Sequence, residues 1–124
     1  MNARLLVLAC LLVAGTANAG YQYRPQVYVN SVNRTAQGSL IGARRSADSV
    51  QQIGCYFVEF DGSLSLAVCQ GTDAQGNTVS CQTQSPKLIA IAQTVQSGSW
   101  LYFASNASGY CTAIQVTQFS FTIE

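Results

Sequence analysis

Apolar and polar positions alternate with a period of two through much of residues 50–72, and the pattern is interrupted at Asp61-Gly62. That period places successive side chains on opposite faces of a strand, and Asp-Gly between two such runs is a strong hairpin signal. With a three-residue loop at 61–63 and Phe60 opposite Leu64, one face carries Tyr56, Val58, Phe60, Leu64, Leu66 and Val68. The other carries Cys55, Phe57, Glu59, Ser65, Ala67 and Cys69, with Cys55 directly across from Cys69. Because the first face is wholly apolar, the expectation is that it turns toward the core.

A third strand over 78–84 follows a turn in Ala74-Gln75-Gly76-Asn77. Centring that turn on Gln75 sets Cys81 opposite Cys69. Upstream, residues 21–37 alternate at Val27 and Val29 after Pro25 and read as one strand. The short apolar piece Leu40-Ile41 leads through Gly42-Ala43-Arg44-Arg45 into a polar loop or turn, Ser46-Ala47-Asp48-Ser49. A helical stripe appears once: Ser85 can cap, Pro86 suits the first helical position, and Leu88, Ile89, Ala92 and Val95 share a face. This predicts one helix over about 86–96, packed on the sheet. Two last strands, 100–105 and 110–123, flank Asn106-Ala107-Ser108-Gly109. The expected fold is α+β, mainly antiparallel β, in the order β-β-β-β-α-β-β.

The start of the chain has a different character. Arg4 precedes an apolar run from Leu5 to Ala14, and Ala17-Asn18-Ala19 places small residues at the positions a signal peptidase admits. A run of about ten apolar residues is too short for a bilayer that needs about 20. Residues 1–19 are therefore expected to be a cleaved secretory signal, with processing near Ala19-Gly20, leaving a single mature domain over 20–124 with no membrane span. Lipid attachment at Cys10 is the lesser alternative, since it strands a second apolar stretch, 11–14, in the product. The expected location is periplasmic or secreted.

Removing that segment changes the charge picture. The chain has a net charge of +1, but Arg4 leaves with the signal, so five basic and five acidic residues remain. A neutral domain argues against nucleic acid, whose binding needs several Lys or Arg contacts to phosphate. The absence of histidine excludes histidine-dependent triads, zinc sites and general bases. What remains polar is uncharged: Gln, Ser and Thr supply 34 of the 105 mature residues, accompanied by six Tyr and Trp100.

Four cysteines, Cys55, Cys69, Cys81 and Cys111, are an even number in an exported chain and imply two disulfides. Their spacing lacks the close pairs of a metal knuckle. Cys69 stands between two neighbours within disulfide reach. The favoured pairing is Cys69–Cys81 with Cys55–Cys111; the alternative is Cys55–Cys69 with Cys81–Cys111.

The string Gly42-Ala43-Arg44-Arg45-Ser46-Ala47-Asp48-Ser49-Val50-Gln51-Gln52-Ile53-Gly54-Cys55-Tyr56, with Cys69, Cys81 and Gly109-Tyr110-Cys111-Thr112, resembles small exported four-cysteine proteins of Gram-negative bacteria. The resemblance covers most of the mature chain. It implies an exported, β-rich bacterial domain and carries over no catalytic residue.

Catalytic candidates are few. Lys87 sits in the first turn of the expected helix without a nucleophile motif, and Glu59 and Asp61 flank a hairpin turn where carboxylates are usually solvated. Asp73-Ala74-Gln75-Gly76-Asn77 lacks the repeated acids of a calcium loop. Neither a catalytic residue, a metal site nor a cofactor is expected. Tyrosine among neutral hydrogen-bonding residues gives flat amphipathic contact area, so the expected function is a non-enzymatic interaction or structural domain touching a protein, a glycan or copies of itself. Tyr28, Tyr102, Arg44 and Arg45 are the residues expected to make contact. The rival readings are a disulfide-braced inhibitor or effector acting through residues 42–49 and, last, a hydrolase working with Glu59 and Asp61.

Overall fold

The computed structural model describes residues 25–62 and 64–119. The expected signal segment, Cys10 and the cleavage position near Ala19-Gly20 lie outside the described residues, as do Tyr21 and the end of the last expected strand. Among the described residues no helix is long and apolar enough to cross a membrane.

Among the described residues, seven strands and two short helices follow one another as β1 (Tyr28–Asn30), β2 (Thr35–Ser39), α1 (Leu40–Arg44), β3 (Gln52–Phe60), β4 (Leu64–Thr72), β5 (Thr78–Thr83), α2 (Pro86–Ala92), β6 (Trp100–Ser105) and β7 (Cys111–Thr117). They form two antiparallel sheets rather than one, β1-β2-β6-β7 and β3-β4-β5. The expected α+β, mainly antiparallel architecture with two disulfides is thus present, with one more strand and one more helix than the sequence pattern suggested. The extra strand arises because 21–37 is not continuous. Asn30 Oδ1 accepts from the Asn33 N–H at 3.0 Å and Arg34 takes a φ of 55°, so the chain turns and β2 comes back along β1. The extra helix starts where Ser39 Oγ accepts from the Gly42 N–H, a cap that Leu40-Ile41 gave no periodic sign of.

The β3-β4 register is the one the hairpin arithmetic requires, with Phe60 opposite Leu64 and Cys55 opposite Cys69, and β4-β5 sets Cys69 opposite Cys81. Helix α2 begins as expected, with Ser85 as its cap and Pro86 at its start, but it ends at Ala92 instead of near 96. The Thr94 hydroxyl donates to the Ile91 carbonyl, and Gln96 and Ser99 exchange hydrogen bonds that turn the chain into β6. Ala92 is fully buried while Leu88 and Val95 pack against the core beside it.

The facing of the hairpin is the reverse of the expectation. Ala67 and Cys69 are fully buried, whereas Tyr56 is 56% and Phe60 55% exposed. The small-residue face is the inner one, and the apolar face of Tyr56, Val58, Phe60, Leu66 and Val68 looks outward. The cause is the disulfide Cys81–Cys111, which ties β5 in one sheet to β7 in the other. Cys81 must point inward to reach Cys111; Cys69 and Cys55, aligned with it across the strands, then point inward as well. Alternation sends the even-numbered side chains of β3 and β4 outside. The opposing layer supplies the bulk: Val29, Ala36, Phe103 and Ile114 form one buried row across the four-stranded sheet.

The second disulfide is Cys55–Cys69, so the favoured pairing is replaced by the alternative. In an antiparallel ladder a residue that forms the narrow, non-hydrogen-bonded pair with one neighbour forms the wide pair with the other. Cys55 and Cys69 have Cα atoms 4.0 Å apart, the narrow kind. The Gln82 N–H points away from β4 to the Gly109 carbonyl at 2.9 Å, so the adjacent pair Cys69–Cys81 is the wide one. Cys69 therefore bonds to its nearer partner, and Cys81 is left for Cys111.

Candidate interaction surface

Strand pairing brings Tyr28 and Tyr102 into one line. Tyr28 is opposite Gln37, Gln37 is opposite Tyr102, and Tyr102 is opposite Gln115, so a Tyr-Gln-Tyr-Gln row crosses all four strands. The row lies on the outer face, because the buried residues Val29, Ala36, Phe103 and Ile114 occupy the next positions along the same strands. Tyr28 is 59% exposed and Gln115 is exposed, while Gln37 and Tyr102 are half-buried.

Trp100 extends this row. Two residues before Tyr102 on β6, it projects to the same face, and the two rings lie within 12° of parallel with centroids 6.3 Å apart. The pattern Trp-Leu-Tyr-Phe at 100–103 reports that alternation in the sequence, but nothing local indicates that Gln37 and Gln115 flank it. Those neighbours come from pairings across more than sixty residues in the case of β2 and β6. The outcome is a strip of flat rings alternating with primary amides and carrying no charge.

Arg44 and Arg45 lie elsewhere. Both are exposed at the end of α1, where they line a cleft of about 420 Å³ with Ile41, Gln96, Ser97 and Gln118. Asp48 does not join them in a charged cluster. Its carboxylate accepts from Gln51 Nε2 at 2.6 Å, from the Val50 and Gln51 N–H groups at 2.8 and 3.0 Å, and from Ser46 Oγ at 3.2 Å. These donors, the Gln51 side chain foremost, hold the Asp48 carboxyl down at about 2. Gln51 in turn accepts from the Val27 N–H through Oε1 at 2.8 Å. The 46–51 loop is thereby tied to the strand-leading segment at Val27, which makes it a structural brace.

The remaining polar candidates are similarly local. Asp73 caps its own turn, accepting from the Gln75 and Asn77 N–H groups and from Asn77 Nδ2. Glu59 and Asp61 are exposed around the β3-β4 turn, and Lys87 is exposed in the first turn of α2. Among the described residues no cluster of three Cys, Asp or Glu could hold a metal ion. No protein-family model, curated protein or solved structure matches the chain.

Proposed function

We propose that the protein is an exported, non-enzymatic recognition domain that binds a neutral, hydroxyl-rich ligand, a glycan, on the outer face of the β1-β2-β6-β7 sheet. The observation that carries this reading is the Tyr28-Gln37-Tyr102-Gln115 row with Trp100 beside it. Aromatic faces offer flat apolar area on which the C–H face of a sugar ring can lie. Primary amides supply both donors and acceptors to hydroxyl groups. A surface without charge selects neither anionic nor cationic ligands. Regular strand pairing across the sheet and the Cys81–Cys111 disulfide at β7 hold the row in place, which limits the ordering cost of binding.

Titration calorimetry of the oxidised protein against neutral oligosaccharides tests the reading. Tyr28→Ala and Tyr102→Ala should each weaken binding by about tenfold or more, the scale of one lost stacking contact. Tyr110→Ala, exposed away from the row, should leave it unchanged. Absence of binding to every neutral glycan, or equal loss in Tyr110→Ala, rejects the site.

A further inference from the structure

The geometry points to self-association through β3, with the edge of one copy adding antiparallel to the same edge of a second copy about a two-fold axis at Phe57. The other three sheet edges are short or covered. β1 has three residues, β5 is met at Gln82 by Gly109 and by a bridge to Tyr110, and β7 has seven residues, with a register shift against β6 at Ser105 and α2 beside it. β3 has nine residues and ends its sheet. Because Cys55 and Cys69 form a narrow pair, the N–H and C=O groups of Cys55, Phe57 and Glu59 point away from β4. Among the described residues no backbone partner meets them across that edge. Helix α1 lies beside the beginning of the strand, where Leu40, Ala43 and Arg44 line a cleft with Gln52 and Ile53.

Edges of this kind are normally blunted by lysine, proline or a bulge. β3 has none of the three, and its one charge is Glu59. The strand is also its own complement. Pairing about Phe57 sets Cys55 and Glu59 of each copy against one another and Phe57 against itself, so all three residues with free backbone groups find partners. Like charges stay apart, since Glu59 faces Cys55 of the second copy and not its own equivalent. On the outer face, Tyr56 meets Val58, and Phe60 lies over Gly54, around whose Cβ direction there is nothing within 4 Å. The exposed rings of Tyr56 and Phe60 are covered on the outer face, and the two Phe57 rings meet on the opposite face, where Ile89 and Gln93 of α2 stand nearby. A net charge of +1 on the chain offers little repulsion to a second copy. The result is a two-fold, six-stranded sheet formed from two three-stranded ones.

The test combines sedimentation with amide hydrogen exchange on the oxidised, exported protein. The expected result is a concentration-dependent doubling of mass, accompanied by at least tenfold slower exchange at the Cys55, Phe57 and Glu59 amides. Phe57→Pro removes a donor that β4 does not use, and should leave a folded monomer; Phe57→Lys, which sets two like charges opposite one another, should do the same should the proline variant fail to fold. A monomer at every concentration overturns the proposal. So does a dimer whose exchange protection falls on another edge, or a monomer whose β3 amides are protected at all dilutions, as residues outside the described part would make them. Glycan binding by the Phe57→Lys monomer separates this inference from the proposed function, since Tyr28 and Tyr102 stand on the other sheet.

Discussion

A Cβ built on Gly71 would lie 2.7 Å from the Cβ of Ala36, so the β4 and β2 backbones meet at a contact that admits one methyl group and not two. Gly71→Ala should therefore force the sheets apart and lower stability by about 1–3 kcal/mol, the usual cost of overpacking. Adding Ala36→Gly should return part of that loss, and a double-mutant cycle by thermal unfolding measures the coupling. Additive effects would mean that the two residues do not share the space.

The outward facing of the apolar hairpin surface has a direct consequence. In the monomeric Phe57→Lys background, Tyr56→Thr and Phe60→Ser should change stability by no more than about 0.5 kcal/mol, as at ordinary surface positions. Were these side chains in the core, truncating either would cost about 3–5 kcal/mol. Denaturant unfolding distinguishes the two by a wide margin.

The two disulfides close loops of different length, with sequence separations of 14 for Cys55–Cys69 and 30 for Cys81–Cys111. On the chain-entropy account each contributes about 2–5 kcal/mol, and the longer loop exceeds the shorter by about 0.7 kcal/mol. The pair Cys81→Ala with Cys111→Ala should accordingly be the more damaging, the more so because it also releases β5 from β7. Melting of the two double variants gives the order, and peptide mapping of the native protein should recover these pairs without Cys69–Cys81.

Asp48 predicts a loss of stability in acid. Its folded carboxyl titrates at about 2 against an ordinary value of 3.8, so the unfolded chain takes up the proton first as pH falls. The contribution is fully present above about pH 4 and disappears as pH falls through about 2. Asp48→Asn removes that titration. The difference in melting temperature between wild type and variant should therefore shrink steadily from pH 4 to pH 2, whereas a constant difference would assign the acid effect to other carboxylates.

Much of the local structure was legible in the sequence. The Asp61-Gly62 turn and the turn at Gln75 dictated two registers residue by residue, and Ser85-Pro86 marked the start of α2. Both depend on neighbours within a few residues, where steric rules and turn chemistry act without help from the rest of the chain. The failures share a different cause. An apolar face on a hairpin says that one side prefers burial, but not how far away the opposing layer will stand. Here the layers meet at Gly71 and Ala36 and are stitched by Cys81–Cys111, so the space suits sulfur and small side chains, and the rings of Tyr56 and Phe60 go outside.

The interaction surface divides in the same way. Alternation within β6 already put Trp100 and Tyr102 on one face, and composition already indicated a polar exterior built from amides and hydroxyls. That Tyr28, Gln37, Tyr102 and Gln115 stand in one row is decided by pairings between distant strands, which hydrogen-bonding geometry fixes only once the sheet has assembled. Strand periodicity, turn positions and the even cysteine count were thus set by the sequence acting locally. Sheet number, the inward face, the disulfide partners and the makeup of the Tyr-Gln row belong to tertiary structure, because each depends on which backbones approach one another and at what distance.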